Sequence, residues 1–345
     1  MKSFVRNLTK KTNPIYRIGF TDSGLGSLIF ALDFLESSCA RIKELSTKYN
    51  CEFQLIQLGD NANVPYSTKT PQEVNRLISS SLFKLEEQDC KIGVVACNTA
   101  CIDNVKFHFL KKIKPFTIVD ESAKIAYQQA ISSHNFALSD SVGIIIMGTQ
   151  ATIKSQDYQH RITALHQQRQ GFNGLNLYGF SAPEFVTQME TQYLEPSIMN
   201  LLVKKTLERM YEEIGEENIA KASNIALFCT HYPLFKKEIS ENLQAKFGKK
   251  FNIITQGQIL SDKILDMVEK DLEIEHLAQK KEHNSEMLKI TDSVIEKGSQ
   301  DSQVKIYSSF TDNKAQQILE HNIRLVYDVK SLIFNDLKKS LCFTK

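Results

Sequence analysis

Two of the seven cysteines stand where a thiol can move protons. Cys97 follows the apolar run 92–96 and opens Cys97-Asn98-Thr99, and Cys229 follows 225–228 and opens Cys229-Thr230-His231-Tyr232-Pro233. A free thiol ionises near ~8.5 in water, and the start of a helix favours the thiolate. The two cysteines lie 132 positions apart, the length of one small α/β domain. Either one alone reads as a small buried apolar side chain, since free cysteine is commonly buried. As a matched pair they suggest two thiols flanking one small molecule. One would remove a proton while the other delivers a proton to the opposite face, inverting a carbon centre with no cofactor. The competing reading is a metal set of Cys97, Cys101, Cys229 and His231, which the Cys97 to Cys101 spacing does not favour.

Polar residues at other strand ends could serve the same chemistry. Asp22 and Ser23 sit in a turn punctuated by glycines between Gly19 and Gly26. The turn is not a dinucleotide fingerprint, because Ile29 stands at the third glycine position. Asp22 could orient an ammonium group or activate a nearby thiol, and Ser23 could donate to a carboxylate; helix capping is the bland alternative for both. Asn98, Thr99 and Thr230 are neutral donors at helix starts, which suits carboxylates. His231 gains interest from standing two residues after Cys229. Tyr66 and Ser67 fall in a loop after a strand, where binding residues often lie. Glu190, within a helical segment, is unremarkable from the residues alone.

The elements that must position these groups follow from hydrophobic periodicity. Strands are expected at 15–20, 53–58, 92–96, 115–119, 142–147, 175–178, 225–228 and 304–307, and helices at 25–35, 73–85, 121–132, 183–211 and from 314. The alternation predicts an α/β protein, and the echo of one cysteine-ended strand by another points to two similarly built parallel-sheet α/β domains, taken as facing each other across a central cleft. Both thiols then lie at carboxyl ends of strands, where open parallel sheets bind ligands. The expected division is an extension over 1–14, a first domain from 15–120 with 253–345, and a second domain over 121–252. The acids and bases of 261–290 read as a solvated surface helix, overlapping a charged insertion expected at about 267–303.

Composition narrows the partners. The chain has 345 residues, with 42 Lys+Arg against 40 Asp+Glu and a net charge of +2. That balance argues against nucleic acid as the main partner. No run approaches the roughly 18 apolar residues of a membrane span, and the first residues lack a leader pattern. An odd number of scattered cysteines is no disulfide framework, so reduced thiols and a cytoplasmic location are expected. A homodimer is left open.

Four stretches, taken together and in order, resemble the cofactor-independent glutamate racemases of the aspartate/glutamate racemase family. They are Ile18-Gly19-Phe20-Thr21-Asp22-Ser23-Gly24-Leu25-Gly26, then Leu58-Gly59-Asp60-Asn61-Ala62-Asn63-Val64-Pro65-Tyr66-Ser67, then Val95-Ala96-Cys97-Asn98-Thr99-Ala100, and Cys229-Thr230-His231-Tyr232-Pro233-Leu234. A weaker fifth is Gly148-Thr149-Gln150-Ala151-Thr152. The resemblance implies a cofactor-free, metal-free site between two domains, with glutamate as substrate and D-glutamate for peptidoglycan precursors as product. It implies that Cys97 works on the D-isomer and Cys229 on the L-isomer, assisted by Asp22, His231 and Glu190. Ser23, Tyr66, Ser67, Asn98, Thr99, Thr152, Thr230 and His231 resemble its substrate contacts. Departures include Ser27 and Ser67 in place of glycines and Thr255-Gln256 in place of an acidic residue and serine. An aspartate or broad acidic amino-acid racemase, or a non-catalytic protein on the same fold, are the alternatives.

Overall fold

Apolar runs that stop abruptly at polar or glycine-rich turns become strands, and the residues after them turn into helices. The structure, a computed structural model, describes residues 13–102, 110–132, 141–169, 174–286, 303–308, 317–318 and 321–322. Its strands are β1 (Ile15–Asp22), β2 (Glu52–Gly59), β3 (Ile92–Val95), β4 (Lys114–Thr117), β5 (Ser141–Gly148), β6 (Gly174–Ser181), β7 (Asn224–Phe228), β8 (Asn252–Thr255) and β9 (Gln303–Ser308). They form two sheets, ordered β4-β3-β1-β2-β9 and β6-β5-β7-β8. Every pairing is parallel. Burial explains the composition of the central strands: Val142, Ile144, Ile145, Ile146 and Met147 are all covered, as befits a strand with helices on both faces. Two similar α/β domains thus face a cleft, as expected from the sequence.

The helices are α1 (Gly26–Tyr49), α2 (Pro71–Glu87), α3 (Asn98–Cys101), α4 (Val119–Ser132), α5 (Gln150–Ser155), α6 (Asp157–Gln167), α7 (Pro183–Thr191), α8 (Pro196–Ile214), α9 (Glu216–Lys221), α10 (Lys236–Phe247) and α11 (Gln256–Glu286). Local chemistry sets their ends. Thr70 and Glu73 form a reciprocal capping box at the start of α2, with Pro71 in its first turn. The helical pattern over 183–211 is broken in two, because Pro196 holds Glu195 extended, at φ −126° and ψ 147°.

The charged stretch differs most from its sequence reading. It belongs to α11, a continuous helix that begins at Gln256 and runs through the expected insertion start. One side of α11 is buried through Leu260, Ile264, Leu265 and Val268, and the helix packs along α1. Its acids are matched to bases on the first domain. Arg41 pairs with Asp266 (2.7 Å) and Glu269 (3.2 Å), Lys48 with Glu269 (2.7 Å), and Lys91 with Glu275 (3.4 Å). Lys114 pairs with Asp271, which also accepts from the Tyr16 hydroxyl at 2.9 Å. So α11 is a strap carrying the chain from β8, paired in the second sheet, back towards β9 in the first. Residues 287–302, the rest of the expected insertion, lie outside the described residues, as do 1–12 of the expected extension. Among the described residues no helix is long and apolar enough to cross a membrane.

Candidate active site

Parallel strands deliver their following turns to one end of each sheet, and here those ends meet across a cavity of about 310 Å³. β1 supplies Asp22 and Ser23, the loop after β2 supplies Tyr66 and Ser67, and β3 supplies Cys97, Asn98 and Thr99. From the other side come Glu190 on α7 and Cys229, Thr230 and His231 after β7. The structure therefore brings together all the sequence-selected residues except Thr152.

Cys97 and Asp22 are neighbours because β3 pairs with β1, and the ladder continues one step further through Ala96 N–H to Thr21 O at 2.9 Å. Burial, together with the charge and hydrogen bonding of Asp22, holds the Cys97 thiol well above its ordinary range. This sulfur keeps its proton at rest. The Asp22 carboxylate accepts from the Ser23 backbone N–H at 2.7 Å and from the Thr230 hydroxyl at 2.5 Å. Thr230 belongs to the other sheet, so Asp22 is braced across the cleft.

Cys229 has a different companion. His231 Nδ1 lies 3.9 Å from Cys229 Sγ, and Nε2 lies 2.6 Å from Glu190 Oε1, with the imidazole and the carboxylate both only 3% exposed. Burial by itself disfavours a charged imidazole. Hydrogen bonds to Cys229 and Glu190, with the Glu190 charge, outweigh it and hold the His231 pKa well above its ordinary value. Glu190 also accepts from Leu25 N–H (2.7 Å) and Asn61 Nδ2 (3.0 Å), both from the first domain. Two glycines make these approaches possible. A Cβ at Gly24 would overlap Glu190 Oε1, and one at Gly26 would overlap both Asp22 Oδ2 and Thr230 Oγ1.

The remaining walls are neutral. Asn98 Nδ2 donates to Gln256 Oε1 (2.7 Å), while its Oδ1 accepts from Tyr158 (2.5 Å) and Gln256 Nε2 (3.1 Å). The Asn98 amide is thus held by a buried network rather than left free for a ligand. The Tyr66 hydroxyl donates to Asp60 at 2.9 Å, which turns its polar end to the loop. Thr152 stands behind the wall: its hydroxyl lies 2.9 Å from that of Thr149, which lines the cavity with Gln150. Thr149 Oγ1 in turn lies 3.4 Å from Thr99 Oγ1.

Sequence reasoning missed Thr149, Gln150, Val186, Thr187 and Thr191 as lining residues. The signal for the first two was present, since they follow β5 just as Cys97 follows β3. Val186, Thr187, Glu190 and Thr191 share one face of α7 at helical spacing. Cys101 donates its thiol proton to Val95 O at 3.4 Å and is not among the lining residues. Among the described residues no group of three or more His, Cys, Asp or Glu is placed to hold a metal ion.

No protein-family model matches the chain. Among curated proteins it is 29% identical to a glutamate racemase of Staphylococcus epidermidis over 225 residues, spanning 65% of this chain and 72% of that one. A glutamate racemase of Staphylococcus haemolyticus is also 29% identical, over 241 residues, with 70% and 77% covered. The fold is shared with the glutamate racemase isoform of Bacillus anthracis, at TM-score 0.61 and 18% identity over 96% of this chain and 97% of that chain. It is shared with the Francisella tularensis glutamate racemase solved with D-glutamate, at TM-score 0.57 and 17% identity over 97% and 98%. Homology and the buried cysteine pair support a racemase-type isomerase activity. The chain is thus similar in sequence to curated glutamate racemases and shares the fold of solved ones.

Proposed function

We propose that the cleft interconverts L- and D-glutamate without a cofactor, moving a proton at the α-carbon between Cys97 and Cys229, and so supplies D-glutamate for peptidoglycan synthesis in the cytoplasm. The observation that carries this reading is that two thiols enter one cavity from two sheets, each with its own partner.

Removing the α-proton of an amino acid is hard because the carbanion is poorly stabilised. Fixed donors around a substrate carboxylate, aimed before the reaction begins, lower that barrier. The hydroxyls of Ser23, Ser67 and Thr99 are among the neutral donors of the cavity, while Asp22 and Glu190 are its acids, available to the ammonium group. From L-glutamate, Cys229 takes the proton, and an imidazolium at His231 stabilises negative charge on sulfur. The electron pair left on carbon then takes the proton of Cys97 from the opposite face. From D-glutamate the roles exchange. The choice of glutamate draws on the names of the relatives, since one methylene separates acidic substrates by only ~1–3 kcal/mol in a pocket.

The test is incubation of the purified protein with L- and D-glutamate in heavy water, no cofactor added, following optical rotation and the α-proton signal together. Both should decay. Cys97→Ser and Cys229→Ser should each slow the decay by about 10²–10⁴-fold, the range of a lost acid or base. Exchange with aspartate alone would refute the substrate, and exchange with no acidic amino acid would refute the enzyme.

A further inference from the structure

We propose that Asn322 is a positioning residue for the Glu190–His231 pair, so that a segment near the end of the chain tunes the reactivity of Cys229; the role in turnover rests on the racemase reading above.

Glu190 lies in the last turn of α7, and helix ends leave backbone carbonyls without intrahelical partners. The start of α7 is anchored from α8: Glu184 accepts from the Thr206 hydroxyl (2.7 Å) and from Arg209 (2.9 Å). Its far end is anchored by Asn322. This fully buried amide donates to Met189 O (2.7 Å) and Gln192 O (2.8 Å), and its Oδ1 accepts from Leu194 N–H (2.9 Å). Met189 precedes Glu190, whereas Gln192 and Leu194 follow it, so one side chain grips the backbone on both sides of the carboxylate. The neighbouring His321 reinforces the seat. Its Nε2 lies 3.2 Å from Leu194 O, and its ring meets Tyr193 edge-on at 5.1 Å.

The consequence is a chain of contacts that reaches one sulfur and not the other. Asn322 fixes the end of α7, α7 aims Glu190, Glu190 holds His231 at 2.6 Å, and His231 faces Cys229. Cys97 depends instead on Asp22, whose carboxylate is held by Ser23 and Thr230. Loosening the α7 end should therefore weaken the imidazolium beside Cys229 and leave Cys97 as an internal control.

The experiment reads iodoacetamide alkylation of Cys97 and Cys229 separately, by peptide mass spectrometry on the full-length chain. It compares the unmodified protein with Asn322→Ala, Asn322→Asp, Glu190→Gln and the Glu190→Gln/Asn322→Ala double variant. Asn322→Asp keeps the volume and the acceptor for Leu194 but aims a carboxylate at two carbonyls. Both Asn322 variants should slow Cys229 relative to Cys97 by about three-fold or more, because thiolate character sets the rate. The double variant should be no slower than Glu190→Gln alone, as expected for two residues acting in series. In turnover, kcat should fall with KM little changed. An unchanged Cys229 to Cys97 ratio, or additive slowing in the double variant, would overturn the proposal. Loss of folded protein in both Asn322 variants would assign the residue to stability alone and overturn it too. Should the unmodified chain racemise nothing, the alkylation ratio still decides the positioning role. Racemisation with an unchanged ratio would remove the positioning role and leave the enzyme reading intact.

Discussion

Cys97 and Cys229 occupy the same place on similarly built sheets, yet their surroundings have opposite sign. Cys97 faces a carboxylate, which together with burial keeps its proton in place. Cys229 faces an imidazole that a second carboxylate keeps charged. Equivalent position in the fold therefore does not produce equivalent chemistry; the group on the neighbouring turn does. The two acids differ in site but share one device. Asp22, from the first sheet, is braced by Thr230 of the second, and Glu190, from α7, is braced by Leu25 and Asn61 of the first domain. Each half of the cleft thus holds the other half's acid in place.

The glycines that admit those acids offer the sharpest test of this contrast. Gly26→Ala drives a methyl group into Asp22, Thr230 and the edge of His231, whereas Gly24→Ala drives one into Glu190. On the racemase function proposed above, each should lower turnover of glutamate by about 10²-fold, the penalty that misplacing a reacting group by an ångström can carry. Alkylation should separate them, with Gly24→Ala slowing Cys229 and only Gly26→Ala changing Cys97. Equal effects on both sulfurs in both variants would break the comparison.

A smaller effect is expected from Gln256, which ties Asn98 to Tyr158 and Ser122 at 2.7–3.1 Å on the Cys97 side of the cleft. Gln256→Leu would leave Asn98 Nδ2 without its partner, with Tyr158 still on Oδ1, and should lower stability by about 1–3 kcal/mol in urea titrations. The smallest effect per group concerns alkali. Burial pushes Cys90 and Cys101, which flank β3, up to about 12 from an unfolded value of 9.0. Between those values the unfolded chain has lost protons that the folded chain retains, so stability falls as pH rises. The slope is about 1.4 kcal/mol per pH unit for each thiol. His231 acts in the same sense: its contribution is present at low pH and is lost as pH rises through its raised value. Urea midpoints at pH 8.5 and 10.5 should show the decline, and a flat profile would mean that the thiols around β3 are not buried as described.

Much of this was readable before the structure. The strand-to-turn sites of Asp22, Cys97 and Cys229 are local patterns, and a parallel sheet gathers strand ends by its own geometry. What escaped reading was everything fixed by partners far away in sequence. Glu190 was singled out only by resemblance; from the residues alone it is an ordinary helical glutamate until α7 is placed against His231 and Leu25. Asn98 looked free for a ligand because Gln256, 158 residues away, could not be seen beside it. The charged stretch of α11 looked solvated because Arg41, Lys48 and Lys91, which neutralise it, are scattered over earlier elements.

The strap formed by α11 has a consequence for how the protein is made. The second sheet is contiguous, all its strands lying within 141–255, so it can be complete as soon as that stretch has left the ribosome. The first sheet begins earlier in the chain but closes later. β2 has an open edge until β9, 303–308, arrives to pair with it. Because domains made during synthesis fold as units, the half containing Cys229 has its sheet first, and the half that started the chain finishes after it. From the synthesis of β2 until that of β9 the nascent protein carries an unpaired parallel edge, the kind of surface that chaperones cover and that aggregates when they do not.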